Sequence, residues 1–500
     1  MQLSHPHPSA AVPPTSLSSP PEETVRLGLE IDYHGEVYLA GEKVLRAIRP
    51  EYEPFYGGLL ERPLIKELME EGGLIYATRS DVQIPGRNLV LEHPRVPFVT
   101  YPFEWSATML KKAAQLLLKL NIRLMEDGLC LEDAHLWNVL FDGTTPRFVD
   151  FTSIAPLPES GRWEASSSFN SYCANALVLM SKGQHALARP LLRDMLSPPK
   201  ERLCDTVLPN PRKHGDHTSF KRDVRIVADL VSFFVSIGLN RLSRRLNGYS
   251  DSASLEQVMA LLQQIGKLDV TPPREEWSDY YECHHDVPMY DDKTALDEQI
   301  KPITPKHALV CELLERLRPA TLLDLGCNRG LYSQFAARAG AKVIGMDTDE
   351  RAIDRMFLDS EALGSQVIPL CANAVSPAEA IGFKERPFPS VTERLRVECV
   401  LCLALTHHLV FRVHMTFPHI VEALCSYATK NLIVEFVPLD DAQLSSSLRD
   451  RPQSLLDRCS WYTKDNFVAA LRDHFGRVTE FKSFPDPRTL FLCEERVASA

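Results

Sequence analysis

Three groups of residues carry side chains that could do chemistry. The first is the segment Leu322-Leu323-Asp324-Leu325-Gly326-Cys327-Asn328-Arg329-Gly330, which leaves an apolar run and enters a helical pattern. A turn of this kind sits at the carboxyl edge of an open α/β sheet, where ligands bind. Gly326 and Gly330 let backbone approach a ligand closely, with positive φ available. Asp347 ends the next strand-like run, where a carboxylate can accept both hydroxyls of an adenosine ribose. A dinucleotide loop would read G-x-G-x-x-G, but Asn328 occupies the middle position and Leu331 the third glycine's place; no Gly-Lys-Ser/Thr follows to make a P-loop.

The second group is Thr406-His407-His408-Leu409, directly after the apolar run Val397–Leu405, with Glu435 at the end of a later one. An imidazole titrates near neutrality and can take a proton from an acceptor hydroxyl or amine. Adjacent residues point different ways, so His408 is the first choice as base and His407 the structural partner. Glu435 could orient one imidazole or hold a positively charged acceptor. The third group, Asp133, His135, Asn138 and Asp150, lies in Leu-Glu-Asp-Ala-His-Leu-Trp-Asn-Val-Leu-Phe, followed by a turn and Arg-Phe-Val-Asp-Phe. The Asp133-to-Asn138 spacing equals that of a protein-kinase catalytic loop.

The elements needed to position these residues are legible in the patterning. From Lys306 onward, helical and strand-like runs alternate: helix Lys306–Leu317, strand Thr321–Leu325, helix Leu331–Ala339, strand Lys342–Met346, helix Glu350–Leu358, strand Gln366–Leu370. The alternation continues through strand Val397–Leu405, helix Phe417–Ala428, strand Asn431–Phe436, helix Lys464–Phe475 and strand Thr489–Cys493. Such alternation means a mostly parallel sheet covered on both faces. Upstream, Leu110, Ala113, Ala114, Leu117, Leu120, Ile122 and Leu124 recur near the 3.6 period over Ser106–Asp127, with Gly128 as the stop. Asp142-Gly143 between two short apolar runs reads as a hairpin turn. Val227–Leu239 reads as a core helix.

The D-x-G-x-x-x-G pattern of Asp324–Gly330, with Asp347 after it, resembles the first motifs of class I S-adenosylmethionine methyltransferases. The resemblance spans Leu296 to Glu495, about 200 residues, the usual size of one domain. It implies a Rossmann-like, seven-stranded α/β sheet ending in an antiparallel hairpin. It implies S-adenosyl-L-methionine as cofactor, held by Asp324, Gly326, Cys327, Asn328, Gly330 and Asp347, with Asn373 the nearest match to an adenine contact. Residues after the fourth strand then line the methyl-acceptor side. That cofactor carries no phosphate, so Asp324 at the loop's edge would favour its positive groups. Leu403–Leu409 together with Val434-Glu435-Phe436-Val437-Pro438 is similar to a bacterial group of two-part methyltransferases that includes relatives of a nodulation protein.

Asp133, His135, Asn138 and Asp150 resemble the D-x-H-x-x-N … D-F order of aminoglycoside-phosphotransferase-like kinases. There the first Asp accepts the substrate proton and Asn and the later Asp hold magnesium. The chain departs from that pattern upstream. Gly57-Gly58 has no flanking strand pair, and Lys43–Arg49 offers Arg46 and Arg49 where a phosphate-binding lysine is expected. Arg is a poor stand-in for a buried lysine point charge. The expectation is an α+β kinase-like domain without phosphotransfer chemistry of its own, ATP and Mg2+ entering only if that lobe is active; the alternative is a phosphotransferase using Asp133, Asn138 and Asp150.

The 500 residues are therefore divided into a Pro/Ser-rich disordered lead (1–24), a kinase-like region (25–160), a helical connector resembling a kinase C-lobe (161–270), a linker or lid (271–304) and the methyltransferase domain (305–500). Trp277, Tyr280, Tyr281 and Lys293 are candidates to close over the site. His284-His285-Asp286 does not amount to a metal site, and Cys399 and Cys402 read as buried strand cysteines. Acids outnumber bases 66 to 55, a formal charge of −11, which argues against nucleic acid and suits a cationic cofactor and a small-molecule acceptor. Scattered cysteines and the lack of an apolar run of about 20 residues point to a soluble cytoplasmic protein without membrane association.

Overall fold

The computed structural model describes residues 25–27, 33–193, 252–283, 298, 300–381, 388–449, 451 and 453–497. The Pro/Ser-rich lead, Val227–Leu239, His284-His285-Asp286 and Lys293 lie outside the described residues. The chain divides into two compact units, Met1–Arg95 and Val96–Ala500. That boundary falls inside the 25–160 stretch, because the strands before it pair only among themselves.

The first unit is built on an antiparallel sheet of β1 (Val25–Leu27), β2 (Gly35–Ala40), β3 (Lys43–Ile48), β4 (Thr78–Arg79) and β5 (Val90–Pro94), ordered β1-β2-β3-β5-β4. Ala40, Leu45, Ala47 and Val90 form its core. Helices Glu53–Leu59 and Pro63–Glu70 lie between β3 and β4 in sequence. Gly57-Gly58 sits inside the first of them. Arg46 is on β3 and buried.

In the second unit, helix Ala107–Glu126 starts where the Ser106 hydroxyl accepts the Met109 amide, and it buries Leu110, Ala113, Ala114, Leu117, Leu120 and Leu124. Asp127 caps its end and Gly128 turns the chain at φ +72°. β6 (Leu129–Leu131) pairs with β9 (Ile154–Pro156), and β7 (Val139–Asp142) forms the expected hairpin with β8 (Thr145–Phe148). Helices Asn175–Ser181, His185–Arg193 and Leu255–Lys267 follow, the last packed on Ala107–Glu126.

The large sheet comprises β10 (Thr321–Leu325), β11 (Lys342–Asp347), β12 (Val367–Cys371), β13 (Val397–Cys402), β14 (Ala428–Phe436), β15 (Phe475–Lys482) and β16 (Thr489–Arg496). Its order is β12-β11-β10-β13-β14-β16-β15. The first five run parallel, and β16 inserts antiparallel between β14 and β15. This is the seven-stranded sheet ending in an antiparallel hairpin that the sequence resemblance implies. Strands such as β10 and β13 are apolar without alternation because helices cover both faces. Cys399 and Cys402 are free and buried on β13. Strand order reverses at β10/β13, so the loops after those strands open a crevice at the carboxyl edge.

One boundary matters for the chemistry. β13 stops at Cys402, three residues before its expected end, and the histidines lie in the helix Thr406–Phe411. Ala404 takes φ +50°, a conformation that cannot continue a strand, and its amide is drawn to the Glu435 carboxylate at 2.9 Å.

Candidate functional site

The loop after β10 is shaped by two glycines. Gly326 stands at φ +69° and Gly330 at φ +83°. A Cβ on Gly326 would lie 3.3 Å from the Leu405 side chain, and one on Gly330 would lie 2.5 Å from Met356 Cε. Between them Asn328 takes φ +49°, and its amide donates to Asp347 Oδ2 at 2.8 Å. Asp347 Oδ1 accepts the Asp349 amide at 3.0 Å. A carboxylate offers about four acceptor positions, so Asp347 keeps acceptor capacity for a ligand hydroxyl. Burial pushes the Asp347 carboxyl pKa up, opposed by the Asp349 and Asn328 amides. Loop amides, a carboxylate with spare acceptor capacity and the neighbouring acid Asp349 suit a ribose-bearing, positively charged cofactor.

Two loop residues are placed differently from expectation. Asp324 is not at the loop's edge: it is 2% exposed beneath it and accepts the Ser333 hydroxyl at 2.6 Å. Burial raises its pKa to about 7, and the Ser333 bond works against that rise. It braces the loop to the helix Leu331–Arg338 instead of facing a ligand's charge. Cys327 is likewise buried, its Sγ 3.7 Å from Met356 Sδ.

A segment of the linker covers this loop. Asn328 Nδ2 donates to the Trp277 carbonyl at 2.8 Å, and the Ser278 hydroxyl lies 2.8 and 2.9 Å from the two Asp349 oxygens. Arg351 and Arg355 donate to the carbonyls of Pro272 and Ser278. Tyr281 is buried in the core with Leu322 and Val343, and Tyr280 packs at that core's margin. Trp277 meets His408 edge to face at 5.2 Å between ring centres.

On the other side of the crevice, the His407 and His408 rings lie 4.1 Å apart. His407 Nδ1 is buried and has no hydrogen-bond partner among the described residues. Burial, with His408 and Arg488 adding to it, pushes the His407 pKa down to about 3; burial also lowers that of His408. Both rings are therefore neutral at pH 7. Glu435 orients neither ring. It is fully buried, pairs with Lys306 Nζ at 2.8 Å, and accepts the Ala404 amide at 2.9 Å and the Ser483 hydroxyl at 2.6 Å. Its capacity is spent within the protein, so it is not available to a charged acceptor. A second buried pair, Arg488 with Asp441 at 2.7 Å, lies on the same side. Lys306, Ser483, Asp441 and Arg488 were not singled out by their sequence context, since nothing local distinguishes them from surface residues.

Asn373 follows β12 and is exposed, its side-chain oxygen accepting the Val375 and Ser376 amides at 3.0 and 3.1 Å. In the kinase-like loop, Asp133 Oδ2 lies 3.0 Å from His135 Nε2, and Asn138 Nδ2 donates to the Asp133 carbonyl at 3.2 Å. Asp150 accepts the Thr152 hydroxyl at 2.9 Å. The loop thus gathers Asp133, His135 and Asn138 through its own hydrogen bonds. Among the described residues no group of three or more His, Cys, Asp or Glu is arranged to hold a metal ion, and no helix is long and apolar enough to cross a membrane.

No protein-family model matches the chain. Solved structures similar to it include magnesium protoporphyrin IX methyltransferase (ChlM) from Synechocystis PCC 6803 with bound SAM, at 18% identity, covering 41% of this chain and 87% of that one with a TM-score of 0.27. An O-methyltransferase family protein from Burkholderia thailandensis covers 41% of this chain and 59% of its own at 14% identity and a TM-score of 0.29. The bifunctional kinase-methyltransferase WbdD covers 44% and 47% at 15% identity and a TM-score of 0.29. A further similarity spans both parts of the chain: it is 29% identical over 479 residues to the Nodulation protein NoeA of Rhizobium meliloti (strain 1021), covering 93% of this chain and 94% of that protein.

Proposed function

We propose that the chain is an S-adenosylmethionine-dependent methyltransferase that moves a methyl group to an oxygen or nitrogen atom of a small-molecule acceptor, a metabolite of natural-product or sugar-related type. The observation that carries this reading is the Asn328–Asp347 bond, which holds a glycine-bent loop and a carboxylate together at the switch point of the sheet. The amides of the Gly326–Gly330 loop and the Asp347 carboxylate would hold the cofactor, which when bound supplies a methyl group on a positively charged sulfur. Asn373 would stand near its base.

Methyl transfer is an in-line displacement, so alignment and exclusion of water do most of the work. The covering segment at Trp277 and Ser278 supports both. For an acceptor hydroxyl or amine that must lose a proton, the proton would pass to His408, which stands against Trp277. His407, with its Nδ1 buried and its pKa lowered to about 3, is too weak a base for that step and supports the ring beside it. Glu435 is a positioning residue: with Lys306 it fixes the Ala404 turn that presents both histidines. The kinase-like region serves as scaffold in this reading.

The test is calorimetric titration of S-adenosylhomocysteine into wild type and Asp347→Ala, followed by incubation with methyl-labelled cofactor and a cell extract. Binding by wild type with label appearing in a small molecule supports the proposal. No binding by folded wild type overturns it.

A further inference from the structure

We infer that the base end of the cofactor is bound by a wall outside the methyltransferase sheet, made by Phe103 and Arg193. The inference rests on the cofactor reading above and extends it to residues from the preceding part of the same compact unit.

Asp347 on β11 pairs in register with Cys371 on β12, and the Ala372 amide donates to the Asp347 carbonyl at 3.0 Å. Neighbouring strands lie about 4.8 Å apart, so the chain leaving β12 starts one strand away from the ribose carboxylate. A base attached to that ribose spans a distance of this order. A cleft of about 400 Å³ opens at this point, with Cys371, Ala372 and Asn373 on one side and Phe103, Glu104 and Arg193 on the other. Its volume is at the low end for a ligand pocket and suits one end of a ligand.

The lining favours a flat, uncharged heteroaromatic ring. Phe103 is only half-buried and exposes ring surface, and the Arg193 guanidinium lies 5.8 Å from that ring's centre. The guanidinium lies over the ring, and such a cation–π pair offers a flat ligand a planar surface to stack on. Of the two acids in the lining, Glu104 brings no spare charge, because its carboxylate is paired with Arg394 at 2.5 Å, and Glu379 is exposed to solvent. Asn373 commits its oxygen to Val375 and Ser376, which leaves its amide NH2 to donate to a ring nitrogen.

The wall is also tied to the cofactor loop. Arg189 donates to the carbonyls of Phe103 and Trp105 and pairs with Glu350 at 2.8 Å; His185 Nδ1 lies 3.0 Å from the same carboxylate. Glu350 begins the helix that follows Asp347 and Asp349. The wall and the ribose carboxylate are thus referenced to one junction, so Phe103 cannot shift without disturbing it.

The test titrates S-adenosylhomocysteine into the full chain as wild type, Phe103→Ala, Phe103→Tyr, Arg193→Ala and Asp347→Ala. A stacked base contributes about 1–3 kcal/mol, so Phe103→Ala is expected to weaken binding roughly 5- to 100-fold while Phe103→Tyr stays within about twofold. Arg193→Ala, at an exposed side chain, is expected to weaken it several-fold without lowering the melting temperature. If wild type binds and Arg193→Ala together with a folded Phe103→Ala bind equally well, the inference is wrong and the proposed function stands. Should Phe103→Ala unfold, Arg193→Ala alone decides. If folded wild type does not bind, the proposed function itself fails.

Discussion

Asn328 donates its backbone amide to the Asp347 carboxylate across 2.8 Å, which latches the turn after β10 to the end of β11. The same carboxylate takes the Asp349 amide, so it is held in place before any ligand arrives. Preorganisation of this kind lowers the cost of ordering on binding.

Replacing Asp347 with Ala is therefore expected to do two things. It removes the acceptor proposed for a ribose and frees the Asn328 amide, and hydrogen bonds to a charged group are worth about 1.5–3 kcal/mol. Affinity for S-adenosylhomocysteine should fall roughly 10- to 100-fold by calorimetry. Unchanged affinity would remove Asp347 from the site.

Gly330→Ala tests the loop's shape. The new Cβ would meet Met356 Cε at 2.5 Å with φ at +83°. Met356 can move its thioether end, but the backbone strain persists. A loss of about 1–3 kcal/mol in urea unfolding is expected, and Gly330→Ala/Met356→Ala should not recover all of it. Wild-type stability in Gly330→Ala would contradict the positive φ.

His407 should make the fold acid-sensitive. Burial, with His408 and Arg488, holds its folded pKa at about 3 against an ordinary value of 6.5. The unfolded chain binds the proton more readily, so the neutral ring's contribution is full above pH 6.5 and lost progressively as pH falls towards 3. Asp324, raised to about 7, titrates in the opposite sense, so the comparison must be made against a variant. The stability difference between wild type and His407→Asn should shift against wild type from pH 7 to pH 5. A difference independent of pH over that range would show that the ring is not held neutral.

Arg394 and Glu104 are both buried at the ion pair, and the Arg394 guanidinium lies 3.7 Å from the centre of the Tyr101 ring. Truncating one member leaves a buried charge without its partner, at a cost of about 3–5 kcal/mol. Arg394→Ala and Glu104→Ala should each lower the urea midpoint markedly, and the double variant should recover part of the loss. Additive losses would mean that the pair is not coupled.

For the kinase-like loop, no ATP turnover is expected, given Arg46 and Arg49 in place of a lysine near Lys43. Radiolabelled phosphate release that vanishes in Asp150→Ala would instead assign phosphotransfer to this lobe.

Much of the fold was legible because its signals are local. The pattern marks β10 at its observed bounds, Thr321–Leu325, and helix Ala107–Glu126 within a residue at either end, since apolar periodicity and capping residues report directly on short segments. The glycine loop and Asp347 were legible for the same reason: they are a strand, a turn and a strand end close in sequence. The helix boundary at Thr406 was missed because an apolar run ending in Leu403-Ala404-Leu405 reads as strand until the Glu435 carboxylate draws in the Ala404 amide.

What the sequence determined by itself is the kind of site: which backbone must bend, which carboxylate ends which strand, and where two imidazoles stand. Only the tertiary structure decided what those groups are free to do. Lys306 and Ser483 reach Glu435 from 129 and 48 residues away and use up a carboxylate that had looked available. Asp324 goes under the loop to Ser333, and burial leaves His407 neutral with one buried, unpartnered nitrogen. Partners distant in the chain and desolvation set the charge and the accessibility of a group, and neither is written in the residues next to it.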